Sequence, residues 1–435
     1  MAVIQSIARK LTAPDFERIY FYCHRIKVFR HRWDSVRLED QVLAVIWSRK
    51  PSPGPLLCNV SEAELDGSNF NGLAIYPRLI IGPCIRKIQL RVCGYSESFT
   101  WSNIIAMLKK AAPLDLSSFM VFGGIHNLAS SCLDSESLEL LSTFRSVRTL
   151  NITGMFLTSH AITMIGALPA LEDLALLITE QQIQHYNPSD GNNFLLLTHL
   201  EIFSETMNPC RLLLMKIQSR TLRSLKVHRT VNIYWDVRGL FVALHECNLA
   251  SRLESLKLDN LHAHYFEIDA HTFEGTDSFK HLCELSISPT CIDLDDDDLM
   301  QLAQALPHLR LLSFDEAYNP EIVPKCTFTG LQHLVQFCPR LESLTLCVDA
   351  RQIPIFSTQP DGEYPVGLHL TTLDLRAAPV SSACDVASYL IMLLPALREI
   401  SAAYDFVGSD EEVDDVVNGY CTIWSEVHKL FKHVI

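Results

Sequence analysis

The stretch "LPHLRLLSF", residues 306–314, places leucines at 306, 309, 311 and 312 and closes on an aromatic residue. It is too rich in apolar residues for one side of a surface helix and far shorter than the roughly 20 residues of a membrane span. The same cadence returns as "LPALEDLAL" at 168, "SRLESLKLD" at 251, "CPRLESLTL" at 338 and "LPALREISA" at 394. The object to be explained is therefore a repeating unit.

Alignment on apolar-x-x-apolar-x-apolar gives Ile85-Ile88-Leu90, Leu116-Phe119-Val121, Val147-Leu150-Ile152, Leu171-Leu174-Leu176, Leu197-Leu200-Ile202 and Leu222-Leu225-Val227. It continues through Leu253-Leu256-Leu258, Leu282-Leu285-Ile287, Leu309-Leu312-Phe314, Leu341-Leu344-Leu346, Leu370-Leu373-Leu375 and the weaker Leu397-Ile400-Ala402. First positions fall 24 to 32 residues apart, against the roughly 20 to 29 of leucine-rich repeats. The closing x-L-x-L alternates as a strand with one buried side does.

Ahead of several strands stands a helical stripe. Leu299, Leu302, Ala303 and Leu306 fall at i, i+3, i+4 and i+7, one side of a helix. Ile162, Ile165 and Leu168 repeat the pattern, as do Leu331, Leu334, Val335 and Cys338, and Val386, Leu390, Leu393 and Leu394. Prolines 169, 307, 339 and 395 follow these stripes and stop each helix, because proline disfavours helical backbone in the residue before it. A single unit has nothing inside itself to cover its apolar sides, so neighbours must stack into a continuous core.

The expected fold is an α/β leucine-rich-repeat solenoid, a curved parallel sheet on the concave side with helices on the convex side. The expected organisation is a helical cap over 1–59 leading into the first degenerate repeats, a solenoid over 60–411 and a capping helix over 412–435. In that helix Trp424, Val427, Leu430 and Phe431 share one stripe. The asparagine or cysteine that regular repeats carry three residues past the strand is mostly missing, with Thr179, Leu261, Ala317, Asp349 and Ala378 in its place. Irregular insertions are expected at 228–250, 259–280, 315–328 and 347–369.

Composition narrows the function. Lys plus Arg number 36 against 50 Asp plus Glu, a formal charge of -14, so the overall field repels nucleic acid and anionic membranes. The 14 cysteines stand apart, with no C-x-x-C pair, which speaks against a zinc ribbon or redox motif. "MAVIQSIARKLTAPDF" lacks the apolar core of a signal peptide. A cytoplasmic or nuclear location is expected, with most thiols acting as small hydrophobes.

The segment "LTAPDFERIYFYCHRIKVF" (11–29), followed by the phrases "LPALEDLAL" and "CPRLESLTL", resembles the repeat region of fungal F-box proteins. The resemblance spans about 11–430 and implies substrate recognition on behalf of an SCF-type ubiquitin ligase. It places the F-box upstream of Leu11, where ten residues stand. The F-box itself is thus expected to be absent from this chain, and a Skp1-type adaptor is a partner only if one is encoded upstream. The alternative is a leucine-rich-repeat scaffold or regulator with no ubiquitin link.

No residue set reads as catalytic, cofactor-binding or metal-binding. Asp293, Asp295, Asp296, Asp297 and Asp298 lack the glycine and distal glutamate of a calcium loop and stand where carboxylates cap a helix. His262, His264, Glu267 and His271 lack the helical spacing of a zinc pair. Cys23 and Cys210 read as structural thiols. "VFGGIHN" at 121 matches no phosphate-cradling motif. Protein recognition remains, and its candidate residues alternate with the buried leucines on the concave side. They are His199, Glu201 and Phe203, then Ser224, Lys226 and His228, then Ser255, Lys257 and Asp259. Aromatic and charged groups in adjoining rows suit a protein partner.

Overall fold

The computed structural model describes residues 3–4, 11–31, 37–38, 40–51, 54–66, 79–92, 116–123, 144–153, 157–186, 193–230, 236–260, 267–315, 323–354, 366–376, 378–401 and 415–434. They group into two compact units, Met1–Phe203 with Lys216–Thr221, and Ser204–Met215 with Leu222–Ile435.

In the first unit, β1 (Val3–Ile4) pairs with β3 (Arg37–Leu38) in a small parallel ribbon. The main strands are β2 (Val28–His31), β4 (Glu62–Asp66), β5 (Lys87–Val92), β6 (Ser118–Gly123), β7 (Thr149–Ile152), β8 (Asp173–Ile178) and β9 (His199–Ser204), side by side in chain order. Its helices are α1 (Ala13–Cys23), α2 (Asp40–Arg49), α3 (Ser159–Gly166) and the short α4 (Glu180–Gln184). Helix α1 starts at the segment that carries the family resemblance: the Thr12 N–H and hydroxyl donate to the Asp15 carboxylate at 2.8 and 2.7 Å. This is one half of a capping box, and Pro14 in the first turn costs no hydrogen bond there.

In the second unit α5 (Met207–Leu214) precedes β10 (Ser224–Arg229), α6 (Val237–Glu246) and β11 (Ser255–Asn260). A side ribbon pairs β12 (Glu267–Asp269) with β14 (Cys291–Asp293), the two flanking β13 (Glu284–Ile287) in the chain. Then come α7 (Asp296–Ala305), β15 (Leu311–Phe314), α8 (Phe328–Phe337), β16 (Ser343–Thr345), β17 (Thr372–Asp374), α9 (Ala383–Leu393), β18 (Glu399–Ser401) and α10 (Asp415–Val434). The order β10, β11, β13, β15, β16, β17, β18 is parallel throughout.

Register decides the fold, because a slip of one residue would turn every leucine outward. The middle positions of the triplets face one another strand after strand. They run Ile88, Phe119, Leu150 and Leu174 in the first unit, and Leu225, Leu256, Leu285, Leu312, Leu344, Leu373 and Ile400 in the second. All described members of the twelve triplets are at most 9 % exposed; Ala402 lies outside the described residues. Burying one such leucine stabilises by about 2 kcal/mol, and that burial exists only because the adjacent turn covers it. The chain is an α/β leucine-rich-repeat solenoid.

The helix stripes behave as their spacing requires. Leu299, Leu302, Ala303 and Leu306 are buried, as are the equivalent residues of α3, α8 and α9. The four prolines stand two or three residues past the helix ends. Helix starts carry short polar caps: the side chains of Thr158, Asp236, Asp295, Thr327 and Ser382 accept from N–H groups two or three residues on. Each such cap contributes about 1 kcal/mol.

Between turns, charged clasps recur at one position, the residue after the first leucine. Arg148 pairs with Glu172 at 2.9 Å, Arg223 with Glu254, and Arg310 with Glu342 through two hydrogen bonds of 2.9 and 3.0 Å. These pairs are exposed and worth little singly. They join equivalent positions of neighbouring turns.

The described parts of two expected insertions belong to the repeat. Residues 228–250 contain α6, with Val237, Leu240, Phe241 and Leu244 buried, a helix-spaced stripe that serves the same purpose as the others. Residues 259–280 contain β12, and Phe273 and Phe279 from this region pack on Phe241 with ring centroids 5.7 and 5.6 Å apart. Residues 231–235, 261–266, 316–322 and 355–365 of the expected insertions lie outside the described residues.

Helix α10 buries Trp424, Val427 and Phe431, while Leu430 is partly exposed. The indole N–H of Trp424 donates to the Ala378 carbonyl at 2.8 Å. No described helix is long and apolar enough to cross a membrane.

Candidate functional site

Alternation along a strand sends every second side chain away from the leucine core. In the second unit these outward residues align into two register rows. One is Ser224, Ser255, Glu284, Leu311, Ser343, Thr372 and Glu399; the other is Lys226, Lys257, Ser286, Ser313, Thr345, Asp374 and Ser401. Charge gathers on the first three strands, and small hydroxyl side chains dominate from β13 to β17.

The charged end is a ladder of offset pairs. Lys226 Nζ lies 3.2 Å from Asp259 Oδ2, and Lys257 Nζ lies 3.2 Å from Glu284 Oε2. The Ser255 hydroxyl donates to the same Glu284 oxygen at 3.0 Å. Partial burial pushes the Glu284 carboxyl up, but the hydrogen bonds from Lys257 and Ser255 and the Lys257 and Arg310 charges outweigh it, so it titrates below the ordinary range. Farther along, burial raises the Asp374 carboxyl despite a hydrogen bond from the Arg376 N–H. Arg376 itself reaches Asp315 two turns away and has a positive φ of 54°. Such backbone is costly for a non-glycine residue and persists only where its surroundings hold it.

The nine residues singled out from the sequence fall into two sets. Ser224, Lys226, Ser255, Lys257 and Asp259 are half-buried and adjoin one another in the second unit. His228 is only 5 % exposed, with Nδ1 3.5 Å from Asp259 Oδ2, and Arg229 and Thr230 beyond it are buried too. It offers little surface. In the first unit His199 is exposed and Glu201 and Phe203 are half-buried. His199 Nε2 lies 3.9 Å from Asp173 Oδ1, and Asp173 also accepts from the Thr149 hydroxyl at 3.1 Å.

Sequence reasoning missed Glu64 of the first unit. It stands between Arg30 and Arg91, with 3.7 and 3.5 Å contacts, on the outward side of β4. The signal was Val60-Ala63-Leu65, a triplet with alanine in the middle position, all three buried. Ala63 takes its place between Phe29 and Ile88 in the register.

The acidic run caps helices. Asp295 and Asp298 cap α7 reciprocally at 2.9 and 3.1 Å. Asp296 accepts from the N–H groups of Thr327 and Gly330, at 2.7 and 2.9 Å, and from the Thr327 hydroxyl at 2.6 Å, so it caps the helix of the following turn. Asp293 pairs with Lys325. His262 and His264 lie outside the described residues; Glu267 is exposed, and His271 pairs with Glu274 at 2.7 Å. Among the described residues no group of three His, Cys, Asp or Glu is placed to hold a metal ion. Burial pushes the Cys210 thiol up to about 12 and raises Cys23 as well, opposite to what a thiolate nucleophile needs. Of "VFGGIHN", residues 124–127 lie outside the described residues.

No protein-family model matches the chain, and no curated protein matches it. Solved structures with a similar fold include an internalin from Listeria monocytogenes, at 13 % identity and a TM-score of 0.40 over 91 % of this chain and 96 % of that one. A TLR13–ssRNA13 complex gives 14 % and 0.38 over 87 % and 49 %. A Bacteroides fragilis protein gives 17 % and 0.38 over 55 % and 68 %. The repeat assignment itself stands on the strand register of this chain.

Proposed function

We propose that this chain acts by recognising a protein, without catalytic chemistry of its own, through the outward rows of its strands. Ser224, Lys226, Ser255, Lys257 and Asp259 form the patch in the second unit, with His228 buried beside Asp259. His199, Glu201 and Phe203 form a patch of the first. The observation that carries this reading is the ladder Lys226–Asp259 and Lys257–Glu284 beside the hydroxyl row. It is an ordered, polar surface with fixed charges, of the kind that sets partner and orientation.

The finer reading is the substrate-binding part of an F-box-like protein linked to an SCF-type ubiquitin ligase, which rests on the 11–29 resemblance. The division into a cap at 1–59, a solenoid at 60–411 and a terminal helix at 412–435 belongs to the same proposal. Trp424 and Phe431 packed inward favour a covering role for that last helix. A cytoplasmic or nuclear location is favoured by the free thiols of the described cysteines.

The test is affinity capture with the wild-type chain and a Lys226→Glu, Lys257→Glu variant, with captured proteins identified by mass spectrometry. Proteins held by the wild type and lost by the variant are the expected result. Identical captures from both would overturn the strand-face reading. A Skp1-type adaptor among the proteins captured by the full-length gene product supports the ligase link; its absence leaves a scaffold or regulator.

A further inference from the structure

Away from the strand rows, the second unit holds a recess of about 210 Å³ between α7 and the two turns Ala270–Phe273 and Thr276–Ser278. Its floor is apolar, made by the buried side chains of Phe273, Leu294 and Leu302, and its rim carries Glu274, Asp277 and Asp298. Pockets for small molecules run from roughly 300 Å³ upward. This one fits a single long side chain better than a whole ligand.

Floor and rim ask for different halves of one group. Carbon walls favour a methylene stem, and carboxylates favour a cation at its end, a build found in lysine and arginine. Of the two, the planar guanidinium engages more than one carboxylate at once. The charges around the recess are unevenly used. His271 and Arg238 already bind Glu274, with the His271 hydrogen bond the chief cause of its lowered carboxyl pKa. Asp298 gives one oxygen to the Asp295 N–H, and it shares the charge of Lys325 with Asp293 and Asp295, Asp293 holding the direct contact. Asp277 is exposed and pairs with no cation among the described residues.

We infer that this recess receives an arginine side chain from a basic segment of a partner protein, at a site separate from the strand rows. The fit rests on charge complementarity at the rim and on apolar cover for the stem. Gly275, which lines the recess between the two turns, takes φ 85°, a backbone that side-chain-bearing residues rarely take.

The test uses the full chain with two peptides, acetyl-Gly-Arg-Gly-amide and its citrulline counterpart, which keeps the shape and removes the charge. Binding is followed by amide chemical shifts across 270–278 and 298–305. The arginine peptide should shift these signals saturably, and the citrulline peptide should bind about tenfold more weakly or worse. Asp277→Lys, at an exposed site, should abolish the shifts without changing the melting temperature. Ala305→Phe, which fills the recess, provides a second variant with the same expected loss. Equal binding of both peptides, no shifts with either, or undiminished binding to both variants would overturn the inference.

Discussion

On β11, Leu256 and Leu258 are fully buried, while Ser255, Lys257 and Asp259, each one peptide away, are half-buried and polar. The two sides of this strand answer to different constraints. Inward, a side chain must fill the volume between the adjacent turns, and at almost every turn the answer is a leucine or isoleucine. Outward, it must only tolerate its neighbours, and the answers range from Lys226 through Ser313 to Glu399 along the same unit. The fold is thus written a dozen times over and the outward surface once.

That contrast can be broken from either side. Leu312→Asp, which buries an unpaired carboxylate among Leu285 and Leu344, should cost more than about 4 kcal/mol; urea titration should find the second unit without a cooperative transition. A transition near that of the wild type would mean that the inward row is not sealed. Asp296→Ala removes three hydrogen bonds to the start of α8. It should lower stability by roughly 1–3 kcal/mol, visible as a shifted urea midpoint. A calcium-dependent stability in the wild type would instead revive the metal reading of the acidic run.

Outward changes should be milder. Lys257→Glu should alter stability by less than about 1 kcal/mol, since the pair it breaks is partly exposed, yet it should reduce partner capture. The smallest effect is in pH dependence. The folded Glu284 and Asp349 carboxyls both titrate below their unfolded values, Asp349 chiefly through its hydrogen bond from Arg351. Their contribution is therefore complete above the unfolded pKa of about 4 and is lost as pH falls through the folded pKa. Acid titration of Glu284→Gln should show a shallower fall in stability than the wild type; equal slopes would remove Glu284 from the account.

The sequence shows the inward side well and the outward side only by position. The period found the twelve triplets because leucine in the middle place has few substitutes. It passed over Val60-Ala63-Leu65, where the buried middle residue is alanine. Helix α6 went unread inside a supposed insertion, although Val237, Leu240, Phe241 and Leu244 hold the helical spacing, because no proline marks its end. The caps at Thr158, Asp236, Thr327 and Ser382 are single residues whose meaning depends on the turn that follows. The burial of His228 could not be read from alternation, which puts it on the outward side with Lys226. Asp296 shows the same limit, since its partners lie 31 and 34 residues further on.

The central claim is that leucines of adjacent turns share one core, and a double-mutant cycle addresses it directly. Leu285 and Leu312 are register partners, whereas Leu285 and Leu373 stand three strands apart. Alanine substitutions at the first pair should be non-additive in urea unfolding by about 0.5 kcal/mol or more, and those at the second should add within about 0.5 kcal/mol. Coupling that is absent between 285 and 312, or as large between 285 and 373, would contradict the stacked core on which every outward row depends.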